Sequence, residues 1–341
     1  MNRLFFAGLL LVALLGSARA QTPPKLTGTL FNWVPGNGCG GYDALLLTSN
    51  TSSGVWNDTD AFGSCILELA VNAKGAMVAL DQNQAQEMGK SPDWWNEVQQ
   101  PGRSGVYQGS YYADVIFAPF MGQKRVRLKA IVDDQKQPLL RGGLALSSDG
   151  NRVAFESNPN VLVRNRAGEL LATLPRSRGP SWSLDGRLVV VCSVSKGPGD
   201  SLCLHDPKAK TIRILPRLPN AAYALNGANL YALEQPAFSP DGKTVAVTVL
   251  PFQDDTGAPE YLSRVWMLDL PSNKWTRALE LPPELVPLSS VQAPVWSPDG
   301  KVLALTVNGR LTFVDLGTHK LMGRSSTAFG QKVYMRPVWA K

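Results

Sequence analysis

Residues 294–305 read Pro294-Val-Trp-Ser-Pro-Asp-Gly-Lys-Val-Leu-Ala-Leu305. A polar Ser-Pro-Asp-Gly group separates two apolar runs. Asp-Gly supplies the left-handed backbone angles that tight turns between antiparallel strands need. Ser297 and Pro298 open the turn, with Pro placed where no ladder N–H is required. The run Val302-Leu-Ala-Leu305 does not alternate with polar residues. A strand wet on one face would alternate, so this one is expected to be covered on both. A single hairpin cannot bury both of its faces, and copies must therefore stack.

The copies are present. Gly143-Leu-Ala-Leu-Ser-Ser-Asp-Gly-Asn-Arg-Val-Ala-Phe155, Pro180-Ser-Trp-Ser-Leu-Asp-Gly-Arg-Leu-Val-Val-Val191 and Pro236-Ala-Phe-Ser-Pro-Asp-Gly-Lys-Thr-Val-Ala-Val247 share the frame. A weaker copy is Leu69-Ala-Val-Asn-Ala-Lys-Gly-Ala-Met-Val-Ala-Leu80, and a truncated one closes the chain at Pro337-Val-Trp-Ala-Lys341. The aromatic before each turn (Trp182, Phe238, Trp296) is sized to wedge between neighbouring sheets.

The frame Pro-x-aromatic-Ser-x-Asp-Gly-basic-x-apolar-apolar-apolar resembles the TolB-like propeller repeat. The resemblance covers roughly 140–341 and implies an all-β fold, a single β-propeller. It also implies an envelope or extracellular setting. It transfers no catalytic residue and no named partner. TolB proteins carry an α/β domain before the propeller, and the stretch before the first copy here is too short for one.

Turn glycines fall at 75, 150, 186, 242 and 300. A four-stranded blade needs about 40–45 residues, so the interval from 75 to 150 has room for one unmarked blade, with strands near 109–117 and 124–132. Six blades are expected, with five or seven as the alternatives. Pro337-Val-Trp339 is expected to add a strand to the N-terminal blade and close the ring, which protects the sheet edges.

The N-terminus has the three-part layout of a secretory signal peptide: Arg3, an apolar run from Leu4 to Leu15, and Ala18-x-Ala20. Twelve helical residues rise about 18 Å, short of a hydrocarbon core of about 30 Å. Residues 1–20 are therefore expected to be removed, leaving 21–341 as the propeller, in which 21–66 forms a disulfide-stapled segment leading into blade one. The mature chain is expected in the periplasm or outside the cell, as a monomer without a transmembrane segment. The four cysteines fit an oxidising compartment. If the hairpin is symmetric about Gly197-Pro198, Cys192 and Cys203 face each other, which leaves Cys39 to Cys65.

With 44% hydrophobic and 18% charged residues the chain cannot be a disordered one. Its formal charge of +7 drops to +5 once Arg3 and Arg19 leave with the signal peptide. That surplus is mild and forms no basic stripe, so nucleic acid is not an expected partner.

Long interruptions of the repeats are where function is expected. Residues 81–108 contain Ser91-Pro-Asp-Trp-Trp-Asn-Glu97, which has the N-cap, first-turn Pro and acidic start of a short helix. Trp94 and Trp95 on it are the candidate partner-binding residues. Residues 216–235 carry Tyr223 and Tyr231, and 251–260 form an acidic loop without EF-hand spacing. His205 and His319 read as ordinary strand-end and turn residues. Neither a His-Glu-x-x-His nor a Gly-x-Ser-x-Gly motif occurs. No catalytic residue, metal site or cofactor is assigned. The expected role is a binding or scaffold module for an envelope or extracellular protein. A hydrolase or lyase using channel carboxylates, or a sugar-binding propeller, is the alternative.

Overall fold

The computed structural model describes residues 29–34, 45–50, 55–59, 66–72, 77–81, 114–118 and 126–127. It then describes residues 143–324 except 158, 166, 194–197, 225–226, 253–262, 281–290 and 309, and ends with 338–340. Six four-stranded antiparallel sheets account for these residues. The first holds β1 (Thr29–Val34), β2 (Leu45–Asn50) and β3 (Val55–Thr59), with β24 (Val338–Ala340) on the inner side of β1. The second runs β4 (Ile66–Val71), β5 (Met77–Asp81), β6 (Asp114–Ala118), β7 (Val126–Arg127). The third runs β8 (Leu144–Leu146), β9 (Arg152–Ser157), β10 (Asn160–Asn165), β11 (Leu170–Leu174). The fourth is β12 (Ser177–Trp182), β13 (Leu188–Cys192), β14 (Ser201–Asp206), β15 (Thr211–Ile214). The fifth is β16 (Leu230–Phe238), β17 (Thr244–Phe252), β18 (Arg264–Asp269), β19 (Lys274–Arg277). The sixth is β20 (Val291–Trp296), β21 (Val302–Val307), β22 (Arg310–Asp315), β23 (Lys320–Arg324).

The first strand of each sheet touches its counterpart in the next, from β4 through β8, β12 and β16 to β20, and β24 touches both β20 and β4. Phe31 pairs with Val338 and Thr29 with Ala340, so the chain's last strand completes its first sheet, as the truncated repeat leads one to expect. The origin of the sixth sheet differs from the spacing expectation. Strands near 109–117 and 124–132 exist, but they are β6 and β7 and finish the sheet begun by the 69–80 copy. The additional sheet lies earlier, at 29–59, where no Asp-Gly turn marks it. Its inner strand is supplied from the far end of the chain, so it has no inner hairpin to carry the motif.

The unbroken apolar runs are buried on both faces, as their sequence requires. In β13, Val189 and Val191 pack toward the fifth sheet, with Val245, Val247 and Leu268. Leu188, Val190 and Cys192 pack toward the third, with Ala154, Val161 and Leu174. β21 repeats the division, with Leu303 and Leu305 on one side and Val302 and Ala304 on the other. The aromatics wedge between sheets: the Trp296 indole N–H donates to the Ala237 carbonyl of the preceding sheet at 3.0 Å. Basic residues after the turn complete the seam. The Arg152 guanidinium lies 4.8 Å from the Trp182 ring centre, and Arg187 lies 6.0 Å from Phe238 and donates to the Gly242 carbonyl at 2.9 Å.

The repeated turn has one construction. In Ser297-Pro-Asp-Gly300 the Gly300 N–H donates to the Ser297 carbonyl at 2.9 Å. The Ser297 hydroxyl donates to Asp299 at 2.6 Å and accepts from the Val302 N–H at 2.9 Å, while Asp299 accepts from the Lys301 N–H at 3.1 Å. Only the glycine is left-handed, at φ 72° for both Gly150 and Gly300. Asp149, Asp185, Asp241 and Asp299 are not, which corrects the expectation that Asp and Gly share that duty. The aspartate instead stays in ordinary backbone space and caps the turn with its carboxylate, an Asx arrangement.

These carboxylates are acid-sensitive struts. At Asp149, Asp185, Asp241 and Asp299 partial burial opposes ionisation, but hydrogen bonds from the serine hydroxyl and the chain N–H groups, with a nearby cation, outweigh it and hold the pKa below the ordinary value. An unfolded aspartate titrates near about 3.9. The unfolded chain therefore takes up protons first as pH falls. The stabilisation is complete above that value and is lost as pH drops through the lower folded pKa. The melting temperature should hold steady from pH 7 to 5 and fall below about pH 4. Replacing all four residues by Asn should flatten that fall.

The Cys192–Cys203 disulfide is formed, with Cα atoms 5.8 Å apart. The two residues are not directly opposed. Cys192 pairs with Ser201 and Cys203 with Val190, so the bridge is diagonal on one face of the sheet. The register is shifted by two residues from the expected pairing, and a two-residue shift keeps both sulfurs on the same face. Cys39 and Cys65 lie outside the described residues.

Candidate functional site

Antiparallel order places the connections of each sheet at two ends. One end carries all the Asp-Gly turns, between Leu146 and Arg152, Trp182 and Leu188, Phe238 and Thr244, and Trp296 and Val302. The same end carries the turns into the outer strands, such as Asp206 to Thr211, Asp269 to Lys274 and Asp315 to Lys320. All of these are short. The long connections leave the other end: 34–45, 81–114, 127–144, 192–201, 214–230, 252–264, 277–291 and 324–338. At the turn end the longest connection, 118–126, has seven intervening residues, so the longest insertions stand at the other end.

The turn end is closed by hydrogen bonds between neighbouring repeats. The Asn72 amide, standing where the other copies have serine, donates to the Ser147 carbonyl at 3.0 Å. The Ser148 hydroxyl donates to the Leu184 carbonyl at 2.8 Å. The outer turns use a second rule that the sequence analysis missed. Asp206, Asp269 and Asp315 each accept a backbone N–H two or three residues on, and four residues after each stands a left-handed residue, Lys210, Asn273 or His319. The signal is present in Asp206-Pro-Lys-Ala-Lys210, Asp269-Leu-Pro-Ser-Asn273 and Asp315-Leu-Gly-Thr-His319. It is weak because only the aspartate is shared. His319 is therefore a turn residue, as expected. His205 is not at the surface: it lies in β14, is buried, and that burial lowers its pKa.

At the long-connection end the inner strands are kinked at equivalent places. Gly179, Gln235 and Ala293 directly precede Pro180, Pro236 and Pro294, have φ of 58°, 52° and 52°, and coincide with register shifts in β12, β16 and β20. Left-handed angles at Gln235 and Ala293 are strained for residues with a Cβ. Neighbouring sheets hold them in place. The buried Glu156 carboxylate accepts the Gly179 N–H, and the Gln235 side-chain oxygen accepts the Ala293 N–H at 2.9 Å. Arg178 pairs with Asp200 and also donates to the Leu233 carbonyl, while Asp200 accepts the Leu233 N–H at 3.0 Å. These polar groups stitch the inner strands to one another rather than facing a reactant.

Two of the three interruptions can be placed in part. In 216–235, Tyr223 and Tyr231 are core residues, 7% and 2% exposed, with ring centres 4.7 Å apart. Burial, then Tyr223 and Asp200, hold the Tyr231 phenol above its ordinary pKa. Gly199 lies so close to Tyr231 that a Cβ there would stand 2.0 Å from the Tyr231 carbonyl oxygen. This connection fills the seam between the fourth and fifth sheets and offers no aromatic platform. At the start of β18 the buried Arg264 donates to the Ser263 carbonyl at 2.7 Å, and burial with the nearby Arg277 charge lowers its pKa to about 10. Most of the acidic loop, and Trp94 and Trp95, lie outside the described residues. The 81–114 connection that carries the tryptophans departs from the long-connection end, since β5 and β6 terminate there. Among the described residues no group of three metal-ligating side chains converges, and no helix is long and apolar enough to cross a membrane.

No family model and no curated protein matches the chain. Solved structures do. TolB from Acinetobacter baumannii superposes with a TM-score of 0.55 at 13% identity, covering 93% of this chain and 68% of that one. A structure of a nidogen/laminin complex gives 0.52 at 13% identity, covering 92% and 97%. A Lactobacillus plantarum protein gives 0.50 at 16% identity, covering 89% and 83%. Sheets stacked through wedged aromatics and joined by Asp-Gly turns, on a chain that superposes on TolB over most of its length, make this a TolB-like β-propeller fold.

Proposed function

We propose that this chain is an exported protein-interaction propeller that engages a partner in the periplasm or outside the cell. Its contact surface is the long-connection end, with Trp94 and Trp95 as anchors. The observation that carries this is the confinement of the long connections to one end. A propeller serving only as a spacer has no reason to gather its longest connections at one end. Loops on a rigid scaffold are where recognition is usually built. Tryptophan pairs suit the centre of such a contact, because they bury large area at low entropic cost. The similar fold in the nidogen/laminin complex, a structure of two proteins together, supports the same use. The leader-like residues 1–20 and the Cys192–Cys203 bridge support an oxidising destination.

The test is affinity capture from the source organism's envelope fraction with the mature chain as bait, against a Trp94→Ala/Trp95→Ala double variant. Capture of a defined partner should fall by at least about tenfold in the variant, the loss typical of removing interface anchors, while its melting temperature stays unchanged. Full capture by the variant would remove the two tryptophans from the contact.

A further inference from the structure

We propose that the outer edge of the fourth sheet is a second docking site, one that takes an extended acidic peptide as an added strand. β15, Thr211-Ile-Arg-Ile214, is exposed along its whole length, with Ile212 54% and Ile214 60% exposed. Exposed β-branched residues on an edge strand are unusual, because such an edge templates further pairing.

The hydrogen-bond phase of the ladder shows which backbone groups are available. The Leu215 N–H donates to the Leu202 carbonyl at 2.8 Å, so Leu202 and Leu215 form a hydrogen-bonded pair. Alternation then makes Leu204 and Arg213 the next such pair. Ile212 and Ile214 lie between these positions and turn their N–H and C=O groups away from β14. Among the described residues no strand pairs with that side. Their side chains share the face of His205 and Cys203, toward the third sheet. That sheet's outer strand leaves Leu170 and Leu171 each 51% exposed. An incoming strand would therefore find backbone partners and apolar side chains together.

Three of the other outer edges, β11, β19 and β23, differ from β15. β11 and β23 pair through bulged ladders, and on β19 Trp275 is tied down by its indole N–H on the Pro216 carbonyl. β15 pairs without a bulge.

Charge selects the occupant. Lys208, Lys210 and Arg213 are exposed along this edge and make no ion pair among the described residues. The neighbouring Asp206 carboxylate is engaged by the Lys208 and Ala209 N–H groups. A second copy pairing edge to edge would bring these cations against their own equivalents, which disfavours it. A strand with acidic residues alternating with apolar ones satisfies the edge, the isoleucines and the cations at once.

The probe is a fluorescein-labelled Asp-Ile-Glu-Val-Asp-Ile-Glu peptide, with Lys-Ile-Lys-Val-Lys-Ile-Lys as the control, read by anisotropy on the mature chain. The acidic peptide should bind, more weakly at high salt, and the basic one should not. Ile212→Pro removes an outward N–H without touching a β14 bond, and should weaken binding about tenfold or more. Arg213→Glu should invert the preference toward the basic peptide. If Ile212→Pro also lowers the melting temperature, the inversion by Arg213→Glu decides alone. Equal binding of both peptides, or unchanged binding by these variants, overturns the proposal. So does a wild-type dimer in sedimentation that Ile212→Pro dissolves, or binding only to phosphatidylglycerol vesicles. Trp94→Ala/Trp95→Ala should leave peptide binding intact, so this site and the long-connection surface stand or fall separately.

Discussion

Replacing Trp339 by Ala should cost about 3–5 kcal/mol, the range for emptying a buried aromatic site. Trp339 is buried although it stands two residues from the end of the sequence. It packs with Val295, Val302, Ala304, Leu311 and Phe313 of the sixth sheet, meeting the Phe313 ring edge-on with centres 6.0 Å apart. Through β24 the same residue pairs with Leu30 of the first sheet. It therefore touches both ends of the sheet series, and removing it loosens a long-range seam rather than a fraying tail. With unfolding entropy near 2.1 cal/mol/K per residue, the melting temperature should fall by about 4–7 °C in a chain of this size. Calorimetry of the variant is the check. A change under about 0.5 kcal/mol is what a surface residue gives, and it would show that β24 does not hold the first and sixth sheets together.

The second large effect is expected at the Cys192–Cys203 bridge. The residues are eleven apart in sequence, and closing a loop of that size in the unfolded chain stabilises the fold by about 3 kcal/mol. A Cys192→Ala/Cys203→Ala variant should melt about 4 °C lower. Reductant should lower the wild type by more than it lowers the variant, the difference being about that same amount, because the variant keeps Cys39 and Cys65. A wild type indifferent to reductant under unfolding conditions would mean that the bridge is not made. The disulfide sits on the strand hairpin that also positions Asp200 against Leu233 and Gly199 against Tyr231. Its loss should therefore loosen the fourth and fifth sheets before the others, visible as faster amide exchange at Leu233.

Much of the architecture was legible because its signals are local. Ser297-Pro-Asp-Gly300 must turn, Val302-Leu-Ala-Leu305 must be covered on both faces, and repetition of the pair forces stacking. The place of the first sheet was not legible. Strands β1 to β3 lack the turn motif, and their inner strand comes from residues 338–340, so no window of sequence contains the sheet. The turn aspartate was read for the wrong property: Asp-Gly pairs can be left-handed together in two-residue hairpins, but here a serine hydroxyl and a chain N–H reward a carboxylate in ordinary backbone space. The tyrosines at 223 and 231 looked like loop residues because their connection is long, and only packing between the fourth and fifth sheets shows them to be core.

The amino-acid sequence alone determined the repeat and the all-β class, since each follows from turn chemistry and from apolar runs that need cover. Which end of the sheets admits long connections, which edge is left unguarded at Ile212 and Ile214, and which carboxylates brace the inner-strand kinks were decided by the tertiary structure. Those properties depend on which residues the stacking of separate sheets brings together, and sequence spacing carries no record of distance between sheets.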